Sequence, residues 1–207
     1  MAERKLPALI TRYGGDHKDI TLELLPGMTM EQLIEQVATR KTDVAFIRAP
    51  LPQLPQGLRA KPFDRAKLCI ALPEQHPLAS RNRLSISDIA QEKLLLPVDE
   101  IGLGLSSSAL SLFEDAGCEP QIAMRIANVN TILALVAAGA GISILPENTA
   151  RSTRGVTGVP LDSADPWSDC VLVVRRGQLA LHVEAFVNMA QQAYSAGPQF
   201  EQYDLID

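Results

Sequence analysis

Arg48 stands just past the β-rich run 43–47 (DVAFI), where a strand gives out and a fixed positive charge can face a ligand. Two parallel N–H donors would let it grip a carboxylate, although a solvated arginine fits the pattern equally well. Met28 and Thr29 follow the alternating run 20–25 (ITLELL), and the Thr29 hydroxyl either caps the next helix or faces a ligand. Gly104, Leu105 and Ser106 open a helix after the glycine-containing loop 98–104, and Val129 and Asn130 open another. The first turn of a helix leaves backbone N–H groups unpaired at the positive end of its dipole, so both starts could receive an anion. Asn128 reads as a cap or as a further contact. The chemistry these residues share is capture of a small anion, with no covalent step.

Reactive side chains do not assemble into anything stronger. His76, in QHPLA, lies in a loop, and His17 and His182 have no metal-ligand spacing with it or with a cysteine. Cys69, Cys118 and Cys170 are isolated, without a CxxC pair, and read as reduced thiols. The serine run 106–108 lacks the G-x-S-x-G elbow. The AAGAG of 137–141 lies where a helix ends, whereas a dinucleotide loop begins one. The sequence therefore predicts no catalytic residues, no metal, no cofactor and no enzymatic activity.

The 207 residues suit one large domain or two small lobes, with the 46% hydrophobic and 21% charged content of an ordinary globular protein. A formal net charge of −5 lacks the basic excess of a nucleic-acid-binding module. The N-terminus MAERKLPALI has no apolar core of a secretion signal, and no run approaches a membrane span of about 18 residues. These features predict a cytoplasmic location and no membrane partner.

Positioning the candidate residues falls to an alternation of helices and strands. The stretch 128–146 (NVNTILALVAAGAGISILP) organises it: an apolar helix with Ile132, Leu135 and Val136 on one face, a break at Gly139 and Gly141, and a buried strand closed by Pro146. Before it, 6–13 has helical spacing, 20–25 alternates as a strand, and Pro26-Gly27 turns the chain. A capping box from Thr29 to Gln32 starts the helix 30–40, and 43–47 is the next strand. Helix–strand–helix–strand is the order that builds a parallel sheet. The proline-rich piece 50–62 reads as a surface connection with a short extended segment at 57–60, and further strands are expected at 67–72, 93–97, 121–126, 156–161 and 170–174. Helices are expected at 84–90, from the serine run to Gly117, at 147–151 and at 181–194, the last with Leu181, Ala185, Phe186, Met189, Ala190 and Ala193 as its apolar stripe. The tail 195–207 is polar and unpatterned.

The run LVAAGAGISILP strongly resembles the "LVAAGxGIxLLP" segment of the effector-binding domain of LysR-type transcriptional regulators. LPALITRYGGDHKDITLELLPG is similar to that family's "LPxLLxxFxxxxPxVxLxLxxG", TDVAFIRAP to its "xDLAIxxxP", and AKLCIALPEQHPLASRNRLSISDI to its "ExLxLVxPxxHPLAxxxxVxLxDL". KLLLP, LFEDAGCEPQI, GVTGVPL and CVLVVRR continue in the same order, so the resemblance covers about residues 6–194.

What the resemblance implies is an α/β fold of two Rossmann-like lobes of periplasmic-binding-protein type, with a small effector in the cleft between them. Residues 1–63 plus 168–194 would form the first regulatory lobe and 64–167 the second. Met28, Thr29, Arg48, Gly104, Leu105, Ser106, Val129 and Asn130 would contact the effector, an anionic small molecule. Homodimers or homotetramers would pass its binding to DNA only through a domain outside this chain. The family's winged helix-turn-helix, its linker helix and the first strand of its effector domain have no counterpart here. That predicts a truncated chain or a displaced start, and a first lobe without its central strand. The rival reading, on the same fold, is a solute-binding protein of a transport system.

Overall fold

The computed structural model describes residues 2–25, 28–99, 104–163 and 166–192. In chain order its elements are α1 (Ala2–Asp16), α2 (Met30–Ala38), β1 (Val44–Arg48), β2 (Leu58–Pro73), a 3-10 turn (Ser87–Ile89), β3 (Lys93–Pro97), α3 (Gly104–Asp115), β4 (Gln121–Ile126), α4 (Val129–Ala137), β5 (Ser143–Pro146), α5 (Glu147–Ala150), β6 (Val156–Pro160), β7 (Trp167–Arg175) and α6 (Leu181–Gln192). They fall into two compact units, residues 1–65 with 169–207, and 66–168. The chain passes from one unit to the other within β2 and again within β7.

In the first unit, β7 lies between β1 and β2. β1 runs antiparallel to β7, with Val44 opposite Val174 and Arg48 opposite Cys170. One face of this sheet packs Phe63, Cys170, Leu172 and Val174 against Leu9 and Tyr13 of α1 and Val183, Phe186 and Val187 of α6. The other face packs Ala45, Ile47, Val171 and Val173 against Ile34 and Val37 of α2. The alternation along β1 and β7 thus feeds two separate helical layers, as a two-sided buried sheet requires.

Three expectations fail here. The run 20–25 is not a strand: it has no ladder partner among the described residues, and Leu22, Leu24 and Leu25 are exposed. Its alternation is a β signal, but a strand exists only when a neighbour accepts its hydrogen bonds. The pairing of β1 is antiparallel rather than parallel, because its partner is β7, which returns from the second unit. On α6 the expected stripe holds at Phe186 and Ala190, which are buried, and at Ala185 and Met189, which pack against the same core, but Leu181 is 84% exposed and Val183 and Val187 are buried beside them. The turn at Pro26-Gly27 and the tail 195–207 lie outside the described residues.

In the second unit, β2 is central, with β5 and β6 antiparallel on its two sides. β3 joins β5 through the bridge Leu94–Ile142 and pairs in parallel with β4. The order is therefore β6-β2-β5-β3-β4. The extended segment at 57–60, expected within a surface connection, and the strand at 67–72 are one continuous β2, since Pro62 does not break it. α3 and α4 cover the sheet, burying Leu105, Ala109, Leu112, Phe113, Ile132, Leu133 and Val136 with Leu94, Leu95, Leu96 and Ile144.

The α4–β5 turn explains its glycines separately. Gly139 has φ +78°, the left-handed conformation, and closes the helix with its N–H on the Val136 carbonyl. Gly141 has no positive φ; a Cβ there would collide with the Lys93 carbonyl, the same oxygen that accepts the Ile142 N–H. It is a close-approach glycine, which lets β5 reach β3.

Candidate functional site

In the first unit, Arg175 fixes which end of α2 meets which end of β1. Its Nη1 donates to the Val37 and Thr42 carbonyls at 3.1 and 2.7 Å, and its Nη2 lies 2.6 Å from Asp43 Oδ1. The C-terminus of α2 is thereby tied to the start of β1. Thr29 forms the expected capping box: its Oγ1 accepts the Gln32 N–H at 3.3 Å, and Gln32 Oε1 accepts the Thr29 N–H at 2.9 Å. The hydroxyl proton of Thr29 is not used by the cap.

Arg48 is half-buried at the last position of β1, opposite Cys170. Burial pushes the Cys170 thiol up to about 11, while the Arg48 guanidinium pulls it the other way. Cys69, buried in the second unit, is pushed up to about 12 by desolvation. Both thiols are protonated core side chains at neutral pH, in keeping with the reading of cysteine as a small hydrophobe.

In the second unit the carboxyl ends of the parallel neighbours β3 and β4 lead to α3 and α4. The Val98 N–H donates to the Ile126 carbonyl at 3.0 Å, which holds the two strand ends together. The starts of α3 and α4 are therefore brought to one edge of the sheet, where ligands of open α/β sheets collect. Asn128 is a cap: its Oδ1 accepts the Asn130 N–H at 2.8 Å. Val129 is half-buried, and Asn130 is exposed.

The start of α3 differs from the expected open anion site. Gly104, Leu105 and Ser106 are all buried. The Ser106 hydroxyl donates to the Pro97 carbonyl at 2.5 Å, and the Ser106 N–H donates to Asp99 Oδ2 at 2.5 Å. Asp99 is the residue that sequence reasoning missed. Its signal is an acid placed a few residues ahead of a helix that opens on glycine.

His76 is built into its turn, with Nδ1 accepting the Leu78 N–H at 3.2 Å and Nε2 3.6 Å from Glu92. A pocket of about 430 Å³ beside it is lined by Glu74, His76, Ala137 and Gly155 among others. It meets α4 at its C-terminal end, opposite to Val129 and Asn130, and none of the expected contact residues lines it. Among the described residues there is no cluster of histidine, cysteine and acidic side chains able to hold a metal, and no helix long and apolar enough to cross a membrane.

The family model of the LysR substrate binding domain matches residues 1–195. The chain belongs to this family. It is 38% identical to the HTH-type transcriptional regulator TtuA of Agrobacterium vitis over 157 residues, which is 75% of this chain and 51% of that protein. Its fold is that of the BenM effector-binding domain solved with its effector benzoate (TM-score 0.79, 24% identity, 93% of this chain and 89% of that one). It is equally that of the effector-binding domain of QuiR in complex with shikimate (TM-score 0.78, 21% identity, 90% and 88%). The two-lobed α/β fold of periplasmic-binding-protein type follows from these likenesses. This LysR-family chain spans about half the length of the curated relatives it matches. These relatives are regulators, which favours a regulatory effector domain over a transport solute-binding protein.

Proposed function

We propose that this chain is the effector-sensing and oligomerisation part of a LysR-type transcriptional regulator that acts in the cytoplasm and reads DNA through a part of the protein outside these 207 residues. It carries out no chemistry. The effector is a small organic acid; in the first unit, read as the first regulatory lobe, Met28, Thr29 and Arg48 are its candidate contacts, and in the second, read as the second regulatory lobe, Gly104, Leu105, Ser106, Val129 and Asn130 are. The single observation that supports this reading is the match of the family model to almost the whole chain. Benzoate and shikimate, the ligands of two proteins of this fold, both carry a carboxylate.

The mechanism is a population shift. An effector can move the equilibrium between two arrangements only by its difference in affinity for them. An arginine that meets the carboxylate in one arrangement and not in the other supplies such a difference. The apolar side chains left exposed on β4, Ile122 and Met124, would be covered by a second copy of the chain.

Titration calorimetry with benzoate and with shikimate tests the cation role. Hydrogen bonds to a charged group contribute about 1.5–3 kcal/mol, so Arg48→Ala should weaken the acid that binds by roughly tenfold or more. Equal affinity of parent and variant would show that Arg48 does not hold the carboxylate.

A further inference from the structure

We propose that the cavity at the C-terminal end of α4 binds a small organic cation, a primary ammonium on a short apolar chain. This site stands apart from the acid contacts read above, because α4 begins at Val129 and presents its opposite end here. The cavity, about 430 Å³, lies between that end, the turn after β2, and Gly155 ahead of β6. Its volume is of the size that holds a small molecule.

What α4 brings to the cavity is negative. Its closing turn spends the N–H groups of Ala138, Gly139 and Ala140 on the carbonyls of Ala134, Val136 and Leu135. No backbone N–H among the described residues reaches the next two carbonyls, those of Ala137 and Ala138, and both residues line the cavity. Carbonyls left over at a helix end carry the negative pole of its dipole and favour a cation.

A carboxylate is fixed beside them. The Glu74 N–H donates to the Gly155 carbonyl at 3.0 Å, and the Gly155 N–H donates back to Glu74 Oε1 at 3.2 Å. Gly155 in turn lies against α4: it has φ +85°, and a Cβ there would sit 3.2 Å from the Cβ of Ala137. The missing side chain at 155 lets Glu74 and the helix end share one cavity.

The remaining lining selects the ligand further. His76 adds no acceptor, since its Nδ1 already takes the Leu78 N–H and its Nε2 faces Glu92. Arg154, next to Gly155 in sequence, is exposed and does not line the cavity. Pro73 and Pro77 give apolar walls. Apart from the exposed Gln75 amide, which offers both kinds of group, the polar atoms open to a ligand are acceptors, and one is charged. An ammonium has three N–H donors and no acceptor, so it meets them all, whereas a carboxylate would face like charge.

The test records amide NMR spectra of the 207-residue protein titrated with butylammonium chloride, with butanol and sodium butyrate as neutral and anionic probes of the same length. The Gly155 amide signal reads Glu74 directly, because it is bonded to that carboxylate. Butylammonium should move the Gly155 and Gly139 signals to saturation, and butanol and butyrate should not. Glu74→Gln keeps an acceptor for the Gly155 N–H and should weaken binding about fivefold, the upper end for an exposed ion pair. Ala138→Leu fills the cavity and should abolish the response. Both positions are exposed, so both variants should melt as the parent does. No saturable shift in the parent, an equal response to butanol, or parental affinity in either variant would overturn the inference.

Discussion

At the scale of single residues, the glycines separate what sequence can and cannot show. The run AAGAG announces a helix end, and Gly139 fulfils that reading with a left-handed φ. Gly141 serves another purpose, admitting the Lys93 carbonyl, and only the fold reveals it because β3 lies almost fifty residues upstream. The two should respond differently to alanine. Gly139→Ala meets only backbone strain of roughly 1–2 kcal/mol. Gly141→Ala pushes a methyl group into a carbonyl that is already hydrogen-bonded to Ile142, in a core where overpacking costs about 1–3 kcal/mol. Urea unfolding of both variants should place Gly141→Ala at the lower midpoint; the reverse order would mean that β3 and β5 can separate at little cost. Asp99 was hidden for a related reason. A loop acid is unremarkable until the helix start it covers is placed beside it.

At the scale of elements, local signals held where the partner was also local. Thr29 and Gln32 are three residues apart, and their capping box is formed as the sequence predicts. Thr29→Ala should destabilise the first unit by about 1 kcal/mol, seen as a lower urea midpoint with an unchanged slope. An unchanged midpoint would show that α2 is held by Ile34 and Val37 alone. Signals failed where the partner was distant. The run 20–25 has the alternation of a strand, yet pairs with nothing among the described residues, because hydrogen-bond partners are a property of the sheet. The α6 stripe loses Leu181 for a similar cause: that residue opens the helix and stays exposed, while Val183 and Val187 join Phe186 and Ala190 against the β7 face.

At the scale of the whole molecule, the element order and the motifs that carry the family resemblance were legible in the chain, because each motif marks one helix or strand end. Which apolar residues stay exposed was not, since exposure belongs to the folded surface. β4 shows exposed Ile122 and Met124 on a strand paired only with β3 among the described residues. If a second copy covers them, Met124→Glu should move the protein toward the monomer in sedimentation velocity with little effect on its melting. An unchanged sedimentation coefficient would place the contact between copies elsewhere.

The central claim is that the chain binds a small organic acid. The most direct measurement is the melting temperature of the 207-residue protein against a panel of aromatic acids, other small carboxylates and amino acids. A ligand at a hundred times its dissociation constant stabilises the folded state by about 2.7 kcal/mol, roughly 5–10 °C for a domain of this size. The account predicts a dose-dependent rise for at least one acid, smaller in Arg48→Ala. A melting temperature that stays flat across the whole panel would contradict it.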